Sequence, residues 1–77
     1  MDMKFVGTIQ DISHNGDILA RGKFVPRIGT EVYAMNRRVG MIVNVFGPVS
    51  SPYITIRPRR EKGETLAELI GSEIYIA

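Results

Sequence analysis

The stretch RVGMIVNV, Arg38 to Val45, decides the fold because it has a counterpart 33 residues earlier. There FVGTIQDI, Phe5 to Ile12, carries its glycine and its central isoleucine at the same places. Two further pairs keep the same order along the chain. ILAR (Ile18 to Arg21) returns as ITIR (Ile54 to Arg57) at an offset of 36, and IGTEVY (Ile28 to Tyr33) as IGSEIY (Ile70 to Tyr75) at 42. Offsets that grow while the order holds put the insertions between the repeated segments, which is how a repeat diverges without breaking its elements.

Each repeated segment is rich in β-branched and aromatic residues and is punctuated by glycine or proline, the signature of short strands. Strands are expected at 4–12, 17–22, 31–35, 39–46, 53–58 and 73–76. Only ETLAELIG, Glu64 to Gly71, reads as helix, with Thr65 as cap, Glu68 three residues on and Gly71 as terminator. Six short strands left as an open sheet would expose both edges and one apolar face. Closing them fills the interior with side chains and removes the edges. The fold class is therefore all-β: one domain over 1–77, a closed six-stranded β-barrel of two pseudo-symmetric three-stranded halves (5–35 and 38–76), with one short helix near the C-terminus. Gly7 and Gly40 occupy equivalent strand positions, where glycine permits a bend or bulge.

Composition narrows the chemistry. The 77 residues hold no cysteine, so packing rather than disulfides or a thiolate metal site must stabilise the chain. The opening MDMKFVGTIQ lacks the basic start and long apolar run of a secretory leader, and no apolar run approaches the ~20 residues of a membrane-spanning helix. A cytosolic protein without membrane contact is expected. His14, the one histidine, precedes Asn15-Gly16 in a turn and has no second histidine to complete a zinc site. The carboxylates Asp2, Asp11, Asp17, Glu31, Glu61, Glu64, Glu68 and Glu73 show no paired spacing, and the glycines are scattered singly. Neither catalytic residues nor a cofactor or metal site is expected, and the chain does not read as an enzyme.

The differences between the halves carry the functional signal. Ile9 is flanked by Thr8 and Gln10, so alternation sends Ile9 inward and its polar neighbours outward. At the equivalent site Ile42 is flanked by Met41 and Val43, so the outer face turns apolar. The following connection changes in the same direction. SHNGD in the first half is an ordinary Asn-Gly turn, whereas the second half carries FGPVSSP, with Phe46, Pro48 and Val49, in a connection across which the offset grows by three residues. Pro48 and Pro52 bias Gly47 and Ser51 toward extended backbone and stiffen the loop, which lowers the entropy lost on binding. Met41, Val43, Phe46, Pro48 and Val49 are expected to form one continuous apolar patch, the kind of surface that marks a partner site. The other reading is a lid folded back over the barrel end.

The run VGMIVNVFGPVSSPYITIRP, Val39 to Pro58, closely resembles the core of the archaeal Gar-type protein of H/ACA ribonucleoproteins. The matching elements are Gly40, Ile42, Val45, Phe46, Gly47, Pro48, Val49, Pro52 and Tyr53, and upstream GKFVPRIGTEVY, with Pro26, Gly29 and Val32, fits the family's preceding strand. The resemblance spans about residues 4–76. It implies a six-stranded barrel that docks on the pseudouridine synthase catalytic subunit, engages that enzyme's substrate-gripping loop, and assists substrate loading and release during guide-RNA-directed rRNA pseudouridylation. Contact with the guide RNA is then mostly indirect. The glycine/arginine-rich tails of eukaryotic relatives have no counterpart here, so the chain resembles the minimal archaeal form. By this resemblance Phe46, Gly47, Pro48 and Val49 form the docking element, Pro52 and Tyr53 hold the return strand, and Met41, Val43 and Val45 complete the partner-binding set.

Three alternatives stand beside it. Arg37, Arg38, Arg57, Arg59, Arg60 and Lys62 cluster in NRR and RPRREK and would serve RNA phosphates or an acidic partner. The net charge of +2 and the dispersed Phe5, Phe24, Tyr33, Phe46, Tyr53 and Tyr75 give a direct RNA-binding barrel little support, since such barrels stack bases on one aromatic face. A ribosome-maturation or translation-factor-type barrel shares the Val-Gly-x-Ile pattern but not the Phe-Gly-Pro-Val/Pro-Tyr run. Homodimerisation of the isolated protein through its apolar face is compatible with docking.

Overall fold

In the computed structural model, which describes residues 2–59 and 66–77, the chain forms six strands. They are β1 (Lys4–Ile12), β2 (Ile18–Gly22), β3 (Glu31–Ala34), β4 (Arg37–Phe46), β5 (Tyr53–Pro58) and β6 (Glu73–Ile76). All neighbours are antiparallel, and the sheet closes in the order β1-β2-β5-β4-β3-β6. The barrel interior is filled by Val6, Ile9, Ile18, Ala20, Val32, Ala34, Val39, Ile42, Ile54, Ile56 and Ile74, all buried. These are the apolar members of each alternating segment, chiefly β-branched residues that pack well on a pleated surface. Among the described residues no polar or charged side chain is buried and no buried side-chain nitrogen or oxygen lacks a partner.

Exchanging β1 with β4, β2 with β5 and β3 with β6 maps this pairing scheme onto itself. The register shows it residue by residue. Ile9 faces Ala20 in the first half and Ile42 faces Ile56 in the second, at offsets of 33 and 36. Gly7 faces Ile74 and Gly40 faces Val32, with 42 separating the partners. Irregularities fall at matching places too, between Ile9 and Asp11 and between Ile42 and Asn44. Gly71 N–H donates to Ile9 O at 2.8 Å, as Gly29 N–H does to Ile42 O at 2.8 Å. Tyr33 pairs with Tyr75 and Leu19 with Thr55, so each of these residues faces its own counterpart where the halves meet.

Gly7 and Gly40 are required by close approach. A β-carbon on Gly7 would lie 1.9 Å from the Arg21 carbonyl oxygen, and one on Gly40 2.3 Å from that of Arg57. At both points the neighbouring strand's backbone presses on the glycine, and no side chain fits.

The expected C-terminal helix is smaller than its sequence suggests. Leu66–Leu69 forms a single 3₁₀ turn, and the proposed cap Thr65 lies outside the described residues. Leu69 is buried and Leu66 packs on the same core, while Gly71 turns the chain with φ +90 to meet Ile9. Tertiary packing dictates the segment, because one turn of helix gains too few hydrogen bonds to form for its own sake.

Candidate partner-docking site

The connection between β4 and β5 stands away from the core. Phe46 is 47% exposed and Val49 79% exposed, and Gly47, Pro48 and Ser50 are exposed with them. Val49 therefore does not close the barrel end as a lid. Ser51 N–H donates to Pro48 O at 3.1 Å, which closes a tight turn whose apex is Val49-Ser50. Gly47 departs from the expected extended backbone: its φ is +91, in the region that disfavours a β-carbon, and such an atom would sit 3.3 Å from Tyr53 Cδ2. Pro52 is fully buried, so its ring anchors the turn from below and its side chain is not available to a partner. Val45 likewise packs against the core.

What shapes the turn from outside is Arg21 on β2. Its Nε donates to the carbonyl and hydroxyl oxygens of Ser51, each at 2.9 Å, and its Nη1 donates to the Tyr53 hydroxyl at 2.7 Å. The guanidinium carbon lies 4.2 Å from the centroid of the Tyr53 ring. The Phe46 ring stacks on Tyr53, with centroids 5.4 Å apart and planes 19° apart. Hydrogen bonds from a charged donor contribute about 1.5–3 kcal/mol each, and a cation over a ring about 0.5–2. This network links the return strand to β2 as firmly as a small surface site allows. Arg21 was not among the residues singled out from the sequence. The signal existed only in the register, which sets Arg21 opposite Tyr53.

Along the outer face of β4 the apolar stripe is interrupted. Moving from the turn, the outward pairs are Phe46–Tyr53, Asn44–Thr55 and Met41–Arg57. The bulge between Ile42 and Asn44 leaves Val43 half-buried. Strict alternation placed Val43 fully outward, but the extra residue in the bulge shifts the phase of everything after it. Exposed Asn44 and half-exposed Thr55 therefore separate the Phe46–Val49 tip from Met41, and the expected continuous patch is two patches on one face.

The second patch is a shallow concavity of about 300 Å³ lined by Glu31, Arg38, Gly40, Met41, Val43, Arg57, Pro58 and Arg59. Its floor is apolar and its rim charged. Arg38 Nη1 donates to Glu31 Oε1 at 2.8 Å, an exposed ion pair of small energetic weight. Among the described residues the Arg57 side chain has neither hydrogen bond nor ion pair. Arg37 is exposed beside this region, and Arg60 and Lys62 lie outside the described residues. The structure thus brings the apolar set and part of the basic set, separate in the sequence reading, into one neighbourhood. Among the described residues no cluster of acidic, histidine or cysteine side chains is arranged to hold a metal. His14 is exposed in the 13–17 turn.

Comparison with known proteins adds a family to this geometry. Residues 3–77 match the family model described as the Gar1/Naf1 RNA binding region. A Methanothermobacter thermautotrophicus protein described as uncharacterized is 33% identical over 76 residues, covering 96% of this chain and 83% of its own length. A second such protein, from Methanocaldococcus jannaschii, is 46% identical over 43 residues, 56% of this chain and 53% of its own.

Proposed function

The chain belongs to the Gar1/Naf1 RNA-binding-region family, and from that premise we propose that it is a non-catalytic subunit of an H/ACA guide-RNA ribonucleoprotein. It docks on the pseudouridine synthase subunit through the tip formed by Phe46, Gly47, Pro48 and Val49, and assists substrate loading and release during rRNA pseudouridylation. Met41 and Val43 extend the contact across the neighbouring concavity. The cytoplasm is its place of work.

One observation carries the proposal: the turn holds Phe46 and Val49 toward solvent on a base that is internally tied. Apolar side chains in a surface loop cost solubility and are expected to be repaid in an interface. A stiffened loop also gives up little entropy when it is covered. The Arg57 side chain, which has no hydrogen-bond or ion-pair partner among the described residues, and Arg59 on the same rim favour a supplementary reading in which this edge meets RNA phosphates or carboxylates of the assembled particle.

The test is a calorimetric titration into the pseudouridine synthase subunit of the same organism, without RNA, at low and high salt, and repeated with Phe46→Ala. Tight, salt-tolerant binding that weakens with the substitution is expected. Absence of synthase binding, with salt-sensitive binding to guide RNA alone, would replace docking with direct RNA recognition.

A further inference from the structure

We infer that Arg21 is the positioning residue of the Phe46–Ser51 turn, holding its apolar tip in one shape before any partner arrives. The consequence for docking rests on the reading above, whereas the ordering itself is a property of the free barrel.

The geometry is a file of three groups. The Arg21 guanidinium lies over one ring, Tyr53, and Phe46 stacks on that same ring. Three hydrogen bonds fix the guanidinium at the start of the file, two to Ser51 and one to the Tyr53 hydroxyl. Arg21 itself is held by β2, where its neighbours Ala20 and Gly22 are buried. The Pro48–Ser51 hydrogen bond and the two prolines close the turn, but none of them fixes the Phe46 ring. The Phe46 ring meets the Tyr53 ring, and Arg21 holds Tyr53 by its hydroxyl and by the ring itself.

The other half of the barrel supplies an internal control. At an offset of 36, Arg57 stands where Arg21 stands, and Asp17 where Tyr53 stands. There the arginine side chain takes no hydrogen-bond or ion-pair partner among the described residues. The 13–17 turn is tied by its own members instead: Ser13 N–H donates to Asp17 O at 2.8 Å, and the Ser13 hydroxyl and Asn15 amide contribute further bonds. The same residue at the same barrel position is thus engaged only where the adjoining turn carries apolar side chains into solvent. Barrel stability does not explain the difference, because both halves close with equivalent registers.

The experiment compares Arg21→Gln, Arg21→Lys and Tyr53→Phe with the unaltered chain. Two quantities are read: exchange of the Ser51 amide hydrogen in the free protein, with the Ile54 and Ile56 amides as barrel references, and affinity for the synthase subunit. Arg21→Gln is expected to speed Ser51 exchange at least about tenfold while the barrel amides stay within about twofold. Docking should weaken about tenfold, equivalent to about 1.4 kcal/mol. Lysine keeps the charge but not the planar fork, so Arg21→Lys restores neither readout in full. Tyr53→Phe keeps the stack and loses one bond, and falls between. Lost docking with unchanged Ser51 exchange would overturn the inference and make Arg21 a direct contact. Uniform acceleration across all the amides would reduce it to a stability residue. If the unaltered chain does not bind the synthase, the docking reading fails and the exchange contrast alone decides the role of Arg21.

Discussion

Replacing Val49 with aspartate separates docking from folding more sharply than any other single change. Val49 is 79% exposed and no hydrogen bond of the turn uses its side chain, so little is lost from the free barrel. A surface substitution of this kind moves stability by about 0.5 kcal/mol or less, which for a domain of this size keeps Tm within about 4 °C. In a complex the accounting reverses. Burying a valine fully is worth about 1.5–3 kcal/mol, and most of that remains to be gained at the tip. A carboxylate forced into the same apolar contact adds a desolvation cost of about 2 kcal/mol or more. Together these predict about 3–5 kcal/mol, or a hundredfold to a few-thousandfold loss of affinity. Thermal melts of the free protein and calorimetric titrations into the synthase subunit read the two effects separately. Val49→Thr, close in shape, should lose about tenfold by the hydroxyl's desolvation alone. Affinity unchanged by aspartate would remove Val49 from the interface. A Tm drop beyond about 8 °C would mean that the side chain is packed in solution and the tip is a lid after all.

Gly7→Ala should be among the most damaging substitutions. Its β-carbon would meet a backbone oxygen at 1.9 Å, so the cost exceeds the about 1–3 kcal/mol of ordinary overpacking and appears as a large fall in Tm. Gly40→Ala meets its counterpart at 2.3 Å and should behave similarly. Gly47→Ala forces a β-carbon into positive φ beside Tyr53, costing about 1–2 kcal/mol in a melt and weakening docking by disturbing the stack. Arg57→Gln breaks no side-chain bond among the described residues, so Tm should hold; if Arg57 meets guide-RNA phosphate in the particle, the salt slope of RNA binding falls by about one unit.

The strands were legible because each carries its own period-2 alternation, and the repeat made the register legible too. Offsets of 33, 36 and 42 read from the sequence are the offsets that relate the paired residues. The bulge at Val43 was not legible, since nothing in GMIVNV distinguishes a bulged valine from an alternating one. Alternation alone therefore makes the apolar patch continuous, whereas Asn44 and Thr55 divide it. The 64–71 segment carries capping residues, yet its described part forms one 3₁₀ turn, Leu66–Leu69, with Leu69 buried and Gly71 bonded to Ile9. The Phe46–Val49 tip was legible from composition, since apolar residues between prolines are unusual in a turn. Arg21 was not, because its role joins residues 30 and 32 positions apart and depends on a ring being sandwiched between two partners.

The strand order has a kinetic consequence. β3 pairs with β4 and β6, and β6 pairs with β1 and β3, so the third strand of each half finds all its partners in the other. Neither half can complete a sheet alone, and a fragment ending after β3 would leave that strand as an unpaired ribbon. β3 reaches β4 through the two-residue Met35-Asn36 turn, a local contact, whereas β6 closes the barrel on β1 and β3 far away in sequence, the slow kind of contact for a small chain. The turn that faces solvent thus stands on a frame that leaves no sheet edge unpaired.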